Sequence, residues 1–247
     1  MESGIILSFL TLSLLEIVLG IDNLIFIALV AESLPKEQRQ KARIIGLSLA
    51  LGIRVAMLAS LSWIMQLTEP LFTVMEHGVS IRDMLLIAGG IFLIGKSTLE
   101  IHADMDGLEG KREMVAKTSF RGAVIQIVII DIVFSFDSIM TAVGIADNLS
   151  VMVAAVVVSM IVMIICSGHI AKFLRENPTF KMLALAFILM IGTVLVAEGM
   201  HIDVPKAYIY FAFGFSILVE ALNTLVRRKH RKNRKADPEA EKLEEML

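Results

Sequence analysis

Two octapeptides in this chain repeat one acidic pattern inside apolar sequence. The first is Glu16-Ile17-Val18-Leu19-Gly20-Ile21-Asp22-Asn23, and the second is Asp131-Ile132-Val133-Phe134-Ser135-Phe136-Asp137-Ser138. Three positions are identical, Glu16 and Asp131 are both acids, and the offset is 115 residues (131 minus 16). Each lies in a hydrophobic run long enough to cross a bilayer. A carboxylate at that depth costs roughly 2.5–3.5 kcal/mol on insertion scales, so such acids are functional candidates by default. Glu16, Asp22, Asn23, Asp131, Asp137 and Ser138 offer hard oxygen donors, which suit Mg²⁺, Ca²⁺ or Mn²⁺. Zinc and copper prefer His or Cys. The five histidines, His77, His102, His169, His201 and His230, fall near span ends, in loops or in the tail, and Cys166 is the single cysteine. Fifteen methionines are scattered as core fillers would be, rather than grouped for Cu(I). Four carboxylates around one divalent ion leave surplus negative charge. Burial favours protonation of some of them without the ion, which makes protons the candidate coupling ion.

The spacing constrains how these acids meet. On a straight helix, residues six apart differ by about 240°, so Glu16 and Asp22 would not share a face. Gly20 lies between them, and Ser135 holds the matching place in the second motif. A kink or unwinding at either point would bring both acids to one cavity and free backbone carbonyls as ligands. The alternative is a straight tilted helix with one acid in the site. Arg54, the lone cation well inside a span, is a counter-charge to a site carboxylate, or else a structural salt bridge or a snorkelling side chain. Glu220 and Asn223 share a helix face one turn apart and are either further ligands in a cytoplasmic vestibule or an interhelical polar clamp. Glu198, near the outer end of its span, is either an exit or entry position or a side chain at the wet interface.

The elements that hold these residues are membrane helices. With 247 residues, 56% of them apolar, and a mean hydropathy of +0.77, the chain is not an ordinary soluble domain. Seven spans of about 20 residues are expected, near Ile5–Val30, Ile44–Met65, Met84–Thr98, Gly122–Ile145, Val151–Leu174, Met182–Met200 and Ala207–Val226. The third is the shortest, because Lys96 and Glu100 crowd its end. Eighteen basic residues lie in the loops after spans 1, 3, 5 and 7, against Arg82 and Lys206 on the other side. The positive-inside rule then puts the N-terminus outside and the C-terminus in the cytoplasm. The expected organisation is a membrane domain over 1–226 and a basic-then-acidic cytoplasmic tail over 227–247, with a short helix from Asp237-Pro238 onward and no further soluble domain. No secretory leader is expected, because the first run contains Glu16 and lacks a basic start.

The motif offset also aligns spans 2 and 5, setting Arg54 against His169. Three spans per repeat is an odd number, so the copies over about 5–100 and 122–201 enter the membrane from opposite faces, with the seventh helix, 207–226, added. Secondary transporters are built this way, with sites near the midplane. At 1.5 Å per residue, Glu16 lies about 16 Å in from Ile5 and Asp22 about 26 Å. Asp131 lies about 14 Å in from Gly122 and Asp137 about 22 Å. The antiparallel levels pair Glu16 with Asp137 and Asp22 with Asp131 in two stacked carboxylate layers.

The two octapeptides, with Val219-Glu220-Ala221-Leu222-Asn223, resemble the TerC family of membrane proteins over spans 1 to 7. That family is named for tellurium resistance and sits near the LysE-type exporters. Its members are associated with Mn²⁺ export and with supplying metal to exported proteins. The resemblance therefore implies a bacterial inner-membrane exporter of divalent metal, Mn²⁺ first. It carries the metal role to Glu16, Asp22, Asn23, Asp131, Asp137 and Ser138, and further to Glu220 and Asn223. Some relatives carry cytoplasmic regulatory domains, which are not expected here. Rival readings are a Ca²⁺/H⁺ exchanger on the same acids, an intramembrane hydrolase and a non-transporting scaffold for metal delivery or tellurite response. No His-Glu-x-x-His, Gly-x-Ser-x-Gly or intramembrane Ser/His or Cys/His pairing supports a hydrolase. The expected partners are the cation and the lipid bilayer, with no resident cofactor and no nucleic acid.

Overall fold

Among the described residues the fold is nearly all helical, with one short hairpin. The structure is a computed structural model and describes residues 2–60, 68, 70–74, 77–105, 119–143 and 148–236. The helices are α1 (Glu2–Leu19), α2 (Ile21–Glu32), α3 (Lys36–Ala59), α4 (Ile81–Met105), α5 (Phe120–Val143), α6 (Leu149–Glu176), α7 (Pro178–Gly199) and α8 (Lys206–Ala236). Strands β1 (Pro70–Val74) and β2 (His77–Ser80) pair antiparallel, Pro70 opposite Ser80 and Val74 opposite His77. The hairpin was not foreseen. The short helix expected from Asp237-Pro238 onward lies outside the described residues.

Among the described residues, five helices, α3, α4, α6, α7 and the Ala207–Arg227 part of α8, are long and apolar enough to cross a membrane. The first expected span is instead a pair, α1 and α2, bent by 41° at Gly20, which brings the number to as many as six. Helix α5 matches the expected fourth span in place, and its 24 residues give about 36 Å of length. It runs without interruption through Ser135, so of the two alternatives at this motif the straight helix is the one present.

The third span is longer than expected, 25 residues rather than a short segment ending near Thr98. Lys96 and Glu100 do not stop it, because they pair one turn apart, Nζ to Oε1 2.9 Å, and satisfy each other along the helix. Its start is fixed by a capping box. Asp83 N–H donates to Ser80 Oγ at 3.2 Å, and Ser80 N–H donates to Asp83 Oδ2 at 2.8 Å.

Helix α4 makes its broadest contact with α7, α3 packs on α5 and α6, and α1 packs on α6. Two glycines let α4 and α7 touch backbone to backbone. A Cβ on Gly90 would lie 2.5 Å from Gly192 O, and one on Gly192 2.8 Å from Gly90 O. Small residues at such crossings are how helices approach where no hydrophobic effect drives them together. Helix α8 lies outside this bundle, with 6% of its membrane-length window buried, and rests on α7 through stacked Phe187 and Phe213. The large apolar side chains that remain exposed, among them Leu7, Leu14, Ile165 and Phe211, are those a lipid phase would cover.

The α2–α3 turn, the end of α4 and the α6–α7 turn line one cleft with the basic Lys36, Arg39, Arg175 and Lys181 and the acids Glu32, Glu37 and Asp104. Thr68, Ser80, Arg82, Asp83 and His201 gather at the opposite ends of α4 and α7.

Candidate functional site

Three helices bring an ion-paired cluster together in the middle of the bundle. Glu16 comes from the end of α1, Arg54 from α3 and Asp131 from α5, and they are 2%, 3% and 0% exposed. Arg54 Nη1 lies 2.9 Å from Glu16 Oε2, and Arg54 Nη2 lies 2.9 Å from Asp131 Oδ1. Arg54 Nε donates to the same carboxylate, 3.1 Å from Oδ2. The planar guanidinium thus spans two carboxylates, a geometry lysine's point charge does not reproduce.

Asp131 is held further. Asn23, on α2, donates its side-chain amide to Asp131 Oδ1, and Ser135, one turn along α5, donates its hydroxyl to Oδ2 at 3.1 Å. Asn23 is fully buried, and its Oδ1 has no hydrogen-bond partner among the described residues. Asp22, 4% exposed, stands in the first turn of α2, where the positive end of the helix favours a carboxylate.

The bend at Gly20 makes this arrangement reachable. A Cβ on Gly20 would lie 2.6 Å from Met163 Sδ and 2.9 Å from Glu16 O, so a side chain there is crowded where α6 crosses. The helix is bent rather than unwound. Gly20 N–H donates to Glu16 O at 2.9 Å, and Gly20 O accepts from Leu24 N–H at 2.9 Å. The carbonyls expected to be freed as ligands there are therefore engaged. The bend overcomes the 240° offset, and Glu16 and Asp22 both face one cavity of about 40 Å³. Arg54, Ser138, Glu198 and Tyr210 also line it. One probe-sized water needs about 10–15 Å³ on such a measure, so the space takes an ion with one or two waters.

The expected layering changes in one respect. Asp131 lies at the level of the Asp22-Asn23 pair, since Asn23 reaches it, but Glu16 joins the same cluster through Arg54 instead of standing in a separate layer. Asp137 belongs to α5, and its side chain is outside the described residues. None of the three described acids faces the lipid side. Among the described residues, no group of three or more His, Cys, Asp or Glu side chains is arranged to hold a metal ion. The physical reason is Arg54, whose guanidinium occupies the space between Glu16 and Asp131.

Glu220 and Asn223 are not brought to the cluster. Both are on α8, whose contact with the bundle is to α7; Glu220 is half-buried and Asn223 exposed. Sequence reasoning missed two participants. Ser135 was seen only as a break position, although its spacing of four from Asp131 puts the pair on one helix face. Tyr210 gave no signal beyond being one of two tyrosines.

The chain matches the Integral membrane protein TerC family over residues 1–235. It is 49% identical over 233 residues to YoaE of Escherichia coli K12, named a UPF0053 inner membrane protein, covering 92% of this chain and 44% of YoaE. It is 49% identical over 221 residues to YgdQ of the same organism, also named a UPF0053 inner membrane protein, covering 89% of this chain and 92% of YgdQ. A UPF0053 protein of Haemophilus influenzae is 49% identical over 223 residues, 90% of this chain and 94% of that protein. The chain thus spans less than half the length of YoaE and nearly all of the other two. No solved structure matches it. The buried ionic cluster, the membrane-length helices and the match from residue 1 to residue 235 agree: this chain belongs to the TerC family of integral membrane proteins.

Proposed function

We propose that the chain is a transporter of divalent metal cations in the bacterial inner membrane, with Mn²⁺ as the first substrate, carried out of the cytoplasm through the cavity beside Glu16 and Asp22. The observation that carries this reading is Arg54 bridging Glu16 and Asp131 at the cavity wall. A buried ion triad is no aid to stability, since apolar packing of similar volume does as well or better. Its retention at bilayer depth therefore needs a task. Four described carboxylates at the cluster and cavity, Glu16, Asp22, Asp131 and Glu198, against one guanidinium leave an excess of negative charge that favours a divalent cation. Hard oxygens at the cavity favour Mn²⁺, Ca²⁺ and Mg²⁺ over softer ions. The preference for Mn²⁺ rests on the family resemblance.

In this reading Arg54 holds Asp131 in every state and releases Glu16 when the ion arrives. The cation then takes Glu16, Asp22 and Ser138 as ligands with water completing its shell. Export follows from rocking one three-helix unit against the other, with protons as the coupling ion. The helix contacts support an inverted repeat, since exchanging α1–α2 with α5, α3 with α6 and α4 with α7 maps the α1–α6 contact onto α5–α3 and leaves α4–α7 and α3–α6 unchanged. The basic cleft at Lys36, Arg39, Arg175 and Lys181 is the cytoplasmic end by the positive-inside rule, which puts the N-terminus outside.

The test is flux into proteoliposomes, with Mn²⁺, Ca²⁺ and Mg²⁺ offered singly and in competition under an imposed pH gradient. Mn²⁺ entry that falls to the protein-free background in Glu16→Gln supports the reading. Preferred Ca²⁺ entry coupled to protons would favour the exchanger. Absence of flux for every cation would leave a membrane scaffold.

A further inference from the structure

Three cations are buried in the described structure: Arg54, Lys181 and Arg43. Two have counter-charges. Arg54 is held by Glu16 and Asp131, and Lys181, near the start of α7, places Nζ 2.9 Å from both carboxylate oxygens of Asp104 at the end of α4. Arg43, on α3 and 8% exposed, has no ion pair, and Glu32 is the acid whose charge acts on it. No hydrogen bond or ion pair joins its side chain to another described residue, and its Nε is buried without a partner. An Nε–H taken out of water without an acceptor is unfavourable, while Nη1 and Nη2 are not fully buried and can meet a ligand from the surface.

The surroundings say what kind of ligand that is. The charges that act on Arg43 are those of Arg175 and Arg39, which repel it, and Glu32, the acid opposing them. Arg39 is already engaged, its Nε donating to Leu34 O at 2.8 Å and its Nη2 to Glu32 O at 2.9 Å, where it caps the end of α2. Arg175, exposed near the end of α6, remains available beside Arg43. Gly168 on α6 keeps the space next to the guanidinium open: a Cβ there would meet only Arg43 Nη2, at 3.8 Å. Three guanidinium groups against one carboxylate leave an excess of positive charge that favours an anion.

We propose that Arg43 and Arg175 bind a phosphate group at the basic end of the α3–α6 contact, either that of an anionic phospholipid headgroup or free phosphate. The arginine fork matches two phosphate oxygens at once. Basic pockets between membrane helices on the cytoplasmic side suit anionic headgroups. Apolar side chains flank the site on the surface, Ile44 and Ile45 on α3 and Phe173 on α6, where acyl chains attached to such a headgroup would lie. This site is separate from the midplane cluster, because Arg43 is eleven residues (54 minus 43) from Arg54, about 16 Å along α3. It does not depend on which ion is transported, or on transport at all.

The experiment uses the full chain, purified in an uncharged detergent and delipidated, with binding read by native mass spectrometry and by thermal shift. Phosphatidylglycerol, phosphatidylethanolamine and inorganic phosphate are titrated separately. Saturable binding of phosphatidylglycerol is expected, weakened about tenfold or more in Arg43→Gln and severalfold in Arg175→Gln, as loss of charge-assisted hydrogen bonds requires. Inorganic phosphate that binds and competes identifies free phosphate as the source. Phosphate without effect identifies the lipid. Arg175 is exposed, so its variant keeps the test decisive if Arg43→Gln does not fold. Absence of saturable binding by phosphatidylglycerol and phosphate overturns the proposal, as does binding unchanged in the folded variants.

Discussion

The two acidic octapeptides align residue for residue yet are built differently. The first is bent by 41° at Gly20, and its acids Glu16 and Asp22 face the cavity. The second runs through Ser135 without interruption, and its first acid, Asp131, is held by Arg54, Asn23 and Ser135 away from the cavity lining. Glu16 has a single ion pair, to Arg54 Nη1. The counter-charge is one-sided as well, since α3 supplies Arg54 to the interior while the aligned His169 of α6 is exposed. In the proposed transport reading, the second motif anchors the guanidinium and the first offers the replaceable carboxylates.

That division predicts unequal effects from similar substitutions. Asp131→Asn removes the charge that three Arg54 contacts depend on and leaves a buried guanidinium with only Glu16. A loss of about 3–5 kcal/mol is expected, the range for breaking a buried pair. Glu16→Gln removes one contact and keeps the Asp131 anchor, so a smaller loss, about 1–3 kcal/mol, is expected. Thermal unfolding of both variants in detergent checks the order. Equal destabilisation would end the distinction between anchor and replaceable acid. Transport should show the reverse emphasis for Glu16→Gln, with flux at background in protein that still reaches the membrane at near-normal amounts.

Much of this comparison was legible in the sequence, and the limits are physical. Loop charges at Lys36, Arg39, Arg175 and Lys181 predicted which helix ends lie together, because sidedness is written locally in basic content. The burial of Glu16, Asp22 and Asp131 followed from acids inside apolar runs. Arg54 was singled out as a cation out of place, but its two partners come from helices 38 and 77 residues away in the chain, and no local pattern carries such a pairing. Whether Gly20 or Ser135 would bend the helix was undecidable from type alone. The answer depends on Met163, which packs against Gly20 from α6. The third span was underestimated because charge was counted against it, although Lys96 and Glu100 satisfy each other.

The smaller predictions address the bend and its straight counterpart. Gly20→Ala adds a Cβ 2.6 Å from Met163 Sδ, at the end of a flexible side chain, and 2.9 Å from the Glu16 carbonyl, which is backbone. The sulfur can move, but the carbonyl resists, so a cost near the low end of about 1–3 kcal/mol is expected. Because the backbone at Gly20 has φ −92° and ψ 0°, alanine meets no dihedral strain, and the whole effect arises from contact. Met163→Ala in the same chain should therefore recover part of the loss, and no recovery would place the strain at the carbonyl. Ser135→Ala tests the other copy. It deletes the 3.1 Å bond to Asp131 Oδ2 while Arg54 still contacts that oxygen, so the acceptor keeps a partner. A loss of about 0.5–1.5 kcal/mol is expected, with the unfolding midpoint lowered less than in Gly20→Ala and with cation selectivity unchanged. A selectivity change in Ser135→Ala would mean that Asp131 meets the cation directly, and the two copies would then share one task.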